Sequence, residues 1–372
     1  MHRLRSPARS FWVIVGRVMK RVFILGAGAS VFCGYPLAPD LWQFVRDSEA
    51  GDTSAKERRS AVIATMDPIF RQDHRLEDAP DEYNRVDVEK VFTLLDLAHR
   101  GKGLLGLEKI DWPQTRLEIM AMISDAFLWH QYEFQAEVIV GRPRQTLHGQ
   151  EPFGLGLDRE LVLAALKNWT TLLKPGDTII TFNWDILHES ALWCAGKWHF
   201  ADGYGFPARD APKEAHSPIK VLKLHGSVNW AQKNDDDLVP EVEHKSDFFP
   251  GATDDHQTFS KRIYGRNDGR YLVVPTYLKD LSGNRLLLRL WEQARDTLVD
   301  AEQLVAIGFS LNEADAAARY LLASALERNP RIREVLVISP DSIVWDQLCY
   351  RFDKRIQTIS SKFEDWLRTN LA

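Results

Sequence analysis

Cysteine is scarce in this chain. Among 372 residues there are three, Cys33, Cys194 and Cys349, and no two of them form a Cys-x-x-Cys pair. A four-cysteine zinc site built within one chain is therefore impossible, and no metal is expected. An odd, scattered set with no secretory leader gives no disulfide framework and points to a reducing cytoplasm. Long apolar runs are missing as well. Arg3, Arg5 and Arg9 precede Phe11-Trp12-Val13-Ile14-Val15, a faint imitation of a signal peptide. That run is too short for the purpose, and Arg17 follows closely. No stretch is long enough to span a bilayer. Positive charge is not in excess either: a formal net charge of -5 offers no electrostatic case for wrapping nucleic acid. Residues 1–18 are expected to be a disordered lead or an over-extended start ahead of Met19, with the basic tip a solvated tail.

What is present is a globular composition. Hydrophobic residues make up 45% of the chain, enough for the core of one large domain or two ordinary ones. Twelve tryptophans suit helical layers and a ligand cleft. Val22-Phe23-Ile24-Leu25 reads as a short buried strand ending at two glycines. From Leu41 the pattern turns helical, over 41–47, 55–66, 88–100, 116–140 and 159–173. Residues 40–155 are read as a helical insertion after the first strand-turn unit. Its tryptophans and leucines exceed what one thin layer must bury, which makes it a candidate surface for homo-oligomerisation. The strand signal returns at Thr178–Phe182, announced by Pro175-Gly176-Asp177, and recurs at 219–224, 271–275, 303–308 and 334–338. Helices fit between them, at 286–299, 314–327 and 342–352. Short apolar strands alternating with helices predict an α/β fold: a Rossmann-like parallel sheet with helices on both faces. Residues 19–39 and 156–372 would form that domain. Residues 228–270 are a polar excursion, expected to be a small module or flap outside the main sheet.

Three motifs stand at predicted strand ends, in one order. The first is Gly26-Ala27-Gly28-Ala29-Ser30. A strand ending in Gly-x-Gly lets backbone approach a pyrophosphate, and a following helix points its N–H groups there. The third glycine of the usual dinucleotide fingerprint is absent, because Val31 holds its place. A tight turn capped by Ser30 or a neighbour explains the same residues. The second motif is Thr181-Phe182-Asn183-Trp184-Asp185. Ligands of parallel sheets sit beyond the carboxyl ends of the strands, and an amide there can orient a ribose hydroxyl or a water. Helix capping by Asn183 and Asp185 is the plainer alternative. The third is Leu224-His225-Gly226-Ser227. A histidine there can take a proton from a hydroxyl or a water, although a half-buried structural histidine is the commoner fate. His188 and His199 are fallback candidates for the base. Two later strand ends fit a nucleotide site. Gly308-Phe309-Ser310 places a hydroxyl near a phosphate, ahead of a helix opened by Asn312-Glu313-Ala314-Asp315. Ser339-Pro340-Asp341 lies where an adenosine ribose would rest. Val274-Pro275-Thr276-Tyr277 with Lys279 has a shaping role only.

These strings, together with Ile307-Gly308-Phe309-Ser310-Leu311, resemble the sirtuin-like family in its bacterial branch. The resemblance covers about residues 20–38 and 176–345 and leaves the helical insertion aside. It implies NAD as substrate and cleavage of the bond between nicotinamide and ribose. His225 matches the family's general base, and Asn183 matches the asparagine that positions ribose and water. Asp185 matches an aspartate near the nicotinamide amide. Ser310 and the early glycines, Gly26 and Gly28, match the phosphate-holding positions, and Ala27, Ser30, Gly308 and Ser339 are expected to bind the cofactor beside them. Two departures set the chain apart from protein-deacylating sirtuins. It cannot build their four-cysteine zinc ribbon, and where they carry an aspartate-phenylalanine-arginine run it reads Leu37-Ala38-Pro39. Both departures fit members that hydrolyse NAD outright. Those members are implicated in bacterial antiphage defence by NAD depletion, and some act with a partner ATPase that moves along DNA. The alternatives are an NAD-dependent protein deacylase and a non-catalytic subunit that senses NAD or ADP-ribose.

Overall fold

Val22, Phe23, Ile24 and Leu25 are each at most 1% exposed. Side chains alternate across a strand, so a strand buried at every position needs a layer on each face. The computed structural model supplies both layers. It describes residues 19–48, 53–73, 88–100, 110–140, 157–207, 216–232, 242–244, 269–273, 284–311, 315–341 and 356–371. The basic tip, residues 274–279, Asn312 and the helix expected at 342–352 lie outside the described residues.

The main sheet has six strands: β1 (Arg21–Leu25), β2 (Thr178–Thr181), β3 (Lys220–Lys223), β7 (Gln303–Ile307), β8 (Glu334–Ile338) and β9 (Ile356–Ile359). All neighbours pair parallel, in the order β3-β2-β1-β7-β8-β9. The chain lays β2 and β3 to one side of β1, then crosses back to place β7 on the other. Counting only this sheet, the order is the 3-2-1-4-5-6 of doubly wound dinucleotide-binding folds, with the reversal between β1 and β7. One covering layer holds α5 (Arg159–Leu172), α6 (Leu187–Cys194) and α9 (Phe363–Leu371). Trp169 of α5 is wholly buried and meets Phe23 and Phe363 edge-on at 5.5 and 5.3 Å. Asp158 starts α5 by accepting the Glu160 and Leu161 amides. The other group holds α7 (Arg285–Asp300), which packs on β3 and on α8 (Ala316–Arg328). Leu287, Leu290, Ala294 and Leu298 of α7 recur at helical spacing and are all buried.

Two excursions leave this sheet, and they meet each other. Between β1 and β2 run α1 (Leu41–Asp47), α2 (Thr53–Asp73), α3 (Val88–Arg100) and α4 (Trp112–Phe134). After β3 comes an antiparallel sheet of β4 (Gly226–Gln232), β5 (Val242–His244) and β6 (Gly269–Leu272), in the order β5-β4-β6. Helix α4 packs on β4 and β6, and Ser124 Oγ donates to the Val228 carbonyl at 3.2 Å.

Four local expectations change. The strand expected at 271–275 belongs to the small antiparallel sheet, where Leu272 pairs with Gly226. A short apolar run fits either sheet, and only pairing decides. The last strand of the main sheet, β9, was not expected. After Gly26 the chain makes two 3-10 turns, at Ala27–Ala29 and Val31–Cys33, where a helix was expected. Gly34, at φ 82°, ends the second turn, and Pro36 follows. The helix expected at 116–140 starts earlier, at Trp112, with Asp111 accepting from the Gln114 amide, and residues Gln135–Val140 continue it as a π-helix.

Candidate functional site

The site assembles where the strand order reverses. The Gly26 amide donates to Ile307 O at 3.1 Å and the Gly28 amide to Gly308 O at 3.0 Å, so the turns after β1 and β7 are joined backbone to backbone. This contact explains the glycines. Gly308 has φ 56°, and a Cβ there would lie 2.4 Å from the Ala29 nitrogen; a Cβ on Gly26 would lie 2.6 Å from Phe309 Cα. Ala27, Gly28 and Gly308 are half-buried and Ser310 is exposed, which leaves an accessible strip across the ends of β1 and β7.

Behind that strip lies a buried polar network. Ser30 Oγ donates to Asp185 Oδ2 at 3.0 Å and also lies 3.5 Å from His188 Nε2. Asn183 Nδ2 donates to Gly26 O at 2.9 Å and to Ser30 Oγ at 3.2 Å. The donor side of the Asn183 amide is thus committed to the glycine turn, and Oδ1 remains as an acceptor. Asp185 Oδ1 accepts the Leu187 amide at 3.1 Å, the capping role weighed in the sequence, and both its oxygens carry protein partners. His188 is neutral: burial holds its pKa down at about 4. Lys223 is wholly buried and donates to Glu189 Oε1 at 2.8 Å and to the Asp185 carbonyl. Burial pushes the Glu189 pKa up, against the pull of Lys223.

His225 occupies the equivalent place on the next strand. Thr181 pairs with Lys223, so Asn183 and His225 each stand two residues beyond a matched pair at the same edge of the sheet. His225 is 6% exposed, and its Nε2 lies 3.0 Å from Asp315 Oδ2. The Phe182 ring meets it edge-on at 5.1 Å and stacks on Phe309 at 4.7 Å. These two rings bridge the ends of β2 and β7, the strands flanking β1, and they connect His225 to the glycine turn. The His225 carbonyl accepts the Val273 amide at 2.9 Å. Gly226, at φ 74°, turns the chain into β4; a Cβ there would lie 2.4 Å from Tyr271 O.

The remaining sequence candidates divide. Ser339 is buried and its Oγ accepts the Asp341 amide at 3.2 Å, a local turn bond. His199 is a loop anchor, its Nδ1 accepting the Ala201 amide at 3.0 Å. His188 lies behind Ser30, away from the accessible strip. Among the described residues no group of three or more His, Cys, Asp or Glu side chains can hold a metal ion, and no helix is long and apolar enough to cross a membrane. Sequence reasoning took Asp315 only as part of a helix start. Its Oδ1 does accept the Ala318 amide at 3.1 Å, but its Oδ2 also lies 3.0 Å from His225 Nε2. No local signal announces that pairing, because the partners come from different strand ends.

No protein-family model and no curated protein matches the chain. Among solved structures it is similar to a Sir2 enzyme studied for mechanism and regulation, at 16% identity over 95% of this chain and 90% of that one, with a TM-score of 0.41. It is also similar to a mutant Sir2 homologue in complex with 2'-O-acetyl ADP ribose (13% identity, 95% and 90% covered, TM-score 0.43). A third is a Sir2 homologue in complex with NAD (13% identity, 95% and 88% covered, TM-score 0.41).

Proposed function

We propose that this chain is a sirtuin-like NAD hydrolase that cleaves the nicotinamide–ribose bond to give nicotinamide and ADP-ribose. The observation that carries the reading is the reversal of strand order between β1 and β7, with Gly28 and Gly308 joined across it and Asn183 and His225 on the adjoining strand ends. Dinucleotides bind at such reversals in doubly wound sheets. The residues present fit one. The accessible strip of Ala27, Gly28, Gly308 and Ser310 offers backbone and a hydroxyl to a diphosphate, and Ser339 marks the end where the adenosine ribose would lie. Breaking a ribosyl bond passes through an oxocarbenium-like state. Water bonds to the anomeric carbon while the bond to nicotinamide breaks, its electron pair staying on the ring nitrogen. Asn183 Oδ1 accepts from a ribose hydroxyl or that water, and His225 takes the water's proton. Asp185 supports Asn183 through Ser30.

The wider reading is that NAD depletion serves antiphage defence in the cytoplasm. In it, residues 19–39 and 156–372 form the NAD-binding domain, 40–155 its helical insertion, and the chain works as a homo-oligomer, with a DNA-translocating ATPase as partner. Incubating the protein with NAD, alone and with the products of neighbouring genes, and resolving the products by chromatography tests the chemistry. His225→Ala and Asn183→Ala should lower nicotinamide release by about 100-fold or more, since a positioned base contributes on that scale. Both variants keeping wild-type turnover would overturn the assignment. Nicotinamide released only with an acylated peptide, alongside O-acyl ADP-ribose, would replace hydrolysis with deacylation.

A further inference from the structure

We propose that Lys223 is a positioning residue: by donating to the Asp185 carbonyl, its ammonium group fixes the segment that carries Asn183 and Asp185 relative to His225. The inference rests on the hydrolase reading for its kinetic consequence only; the anchoring itself stands on geometry.

Lys223 interrupts an apolar run, Val221-Leu222-Lys223-Leu224, and is nonetheless wholly buried. A charge set into an apolar strand breaks the local pattern, and such breaks concentrate at functional places. A buried ammonium needs acceptors. This one donates to Glu189 Oε1 on α6 at 2.8 Å and to the Asp185 carbonyl. Ion pairs this deep can often be exchanged for apolar residues without loss of stability. Stability alone therefore does not account for a lysine here; its location does. Lys223 ends β3. It pairs with Thr181, the last residue of β2, and the Leu224 amide donates to the Thr181 carbonyl at 3.0 Å. Beyond that bond the two strands part. β3 runs on to His225, and β2 runs into the Asn183–Asp185 segment ahead of α6. Lys223 spans the gap: its main chain leads to His225 two residues on, and its side chain holds the Asp185 carbonyl. The Trp184 carbonyl is held separately, by the Val228 amide at 3.1 Å and Ser227 Oγ at 3.4 Å. One anchored carbonyl would leave the segment free to pivot; two in succession set its orientation. From Asp185 the constraint passes into the site. Asp185 Oδ2 accepts from Ser30 Oγ, which in turn accepts from Asn183 Nδ2. A displaced Asp185 therefore carries the Asn183 amide with it, away from the geometry it holds opposite His225.

Anchoring and stability can be separated. Lys223→Met combined with Glu189→Leu removes both charges, so no buried ion is stranded, but the Asp185 carbonyl loses its donor. Fluorine NMR of the full-length protein labelled with 5-fluorotryptophan reads the segment through Trp184. Trp112, whose indole donates to Asp96 at 2.6 Å near the start of α4, is the control. The two signals are assigned through Trp184→Phe and Trp112→Phe. In the double variant the Trp184 signal should shift or broaden, while the Trp112 signal and the urea midpoint stay near those of wild type. In the kinetic arm, kcat for nicotinamide release should fall by about 100-fold, the scale on which a small misplacement of reacting groups costs rate. KM for NAD should stay nearly unchanged, because the strip proposed to hold the diphosphate is untouched. Glu189→Gln keeps the ammonium and its bond to the Asp185 carbonyl, so its Trp184 signal and kcat should match wild type whatever stability it loses. An unmoved Trp184 signal in the folded double variant would overturn the proposal. So would a Trp184 signal displaced equally in Glu189→Gln, which would put the effect on the charge pair instead of the carbonyl. Should the double variant not fold, Glu189→Gln decides alone: a displaced Trp184 signal overturns the anchoring and an unmoved one upholds it. Unchanged kcat with a displaced Trp184 signal would overturn the kinetic consequence. If the wild type releases no nicotinamide with or without neighbouring gene products, the hydrolase reading fails, and the fluorine arm still decides the anchoring.

Discussion

His188 makes acid stability a direct readout of the network behind the site. Its ring is buried against Trp169 at 5.7 Å, its Nε2 is 3.5 Å from Ser30 Oγ, and burial brings its pKa from 6.5 to about 4. In the unfolded chain the same ring titrates near 6.5. Below that pH the unfolded state binds a proton that the native state refuses. Stability contributed by the neutral ring is therefore complete above about pH 6.5, falls as pH drops, and levels off once the native ring also protonates near pH 4. At about 1.4 kcal/mol per pH unit, the loss is about 2 kcal/mol between pH 7 and pH 5 and about 3 kcal/mol by pH 4. Other groups titrate over the same range, so the difference between wild type and His188→Gln isolates this ring. Urea unfolding of both proteins at pH 7 and pH 5 should show the wild type losing about 2 kcal/mol more than the variant. A difference below about 0.5 kcal/mol would mean that His188 is not held neutral. The base role, for which this residue is a fallback candidate, would then reopen.

Two further perturbations probe the scaffold of the site. Lys223→Met strands the buried Glu189 carboxylate and should cost about 3–5 kcal/mol in chemical denaturation, whereas Lys223→Met with Glu189→Leu should recover most of it; a single variant as stable as wild type would show that the pair carries no weight. Gly308→Ala forces a Cβ to within 2.4 Å of the Ala29 nitrogen at φ 56°, and should cost about 2 kcal/mol or more. By shifting Phe309 and Ser310 it should also weaken NAD binding by calorimetry; wild-type stability and affinity together would refute the backbone contact.

The strands of the main sheet were legible to the degree that they are buried. β1, β2, β3, β7 and β8 read as short apolar runs because both their faces are covered. β9 did not, because Ile356-Gln357-Thr358-Ile359 is an edge strand whose middle two side chains are exposed. The run at 271–275 was seen as a strand, yet its sheet was misjudged, because a few apolar residues carry no record of their partner. The turn after Gly28 was expected to open a helix, but Gly34 and Pro36 close it into two short 3-10 turns.

The amino-acid order alone established that glycines, an amide and an imidazole would stand at strand ends, since local apolar patterning locates those ends and the residue types are written there. Tertiary structure alone decided which strand ends adjoin, that Gly28 must yield its side-chain space to Gly308, and that Asn183 spends its donor on the glycine turn. It also decided that Asp315 lies against His225. Those pairings depend on the order in which parallel strands dock, and that order is set by long-range packing, which no short window of sequence encodes.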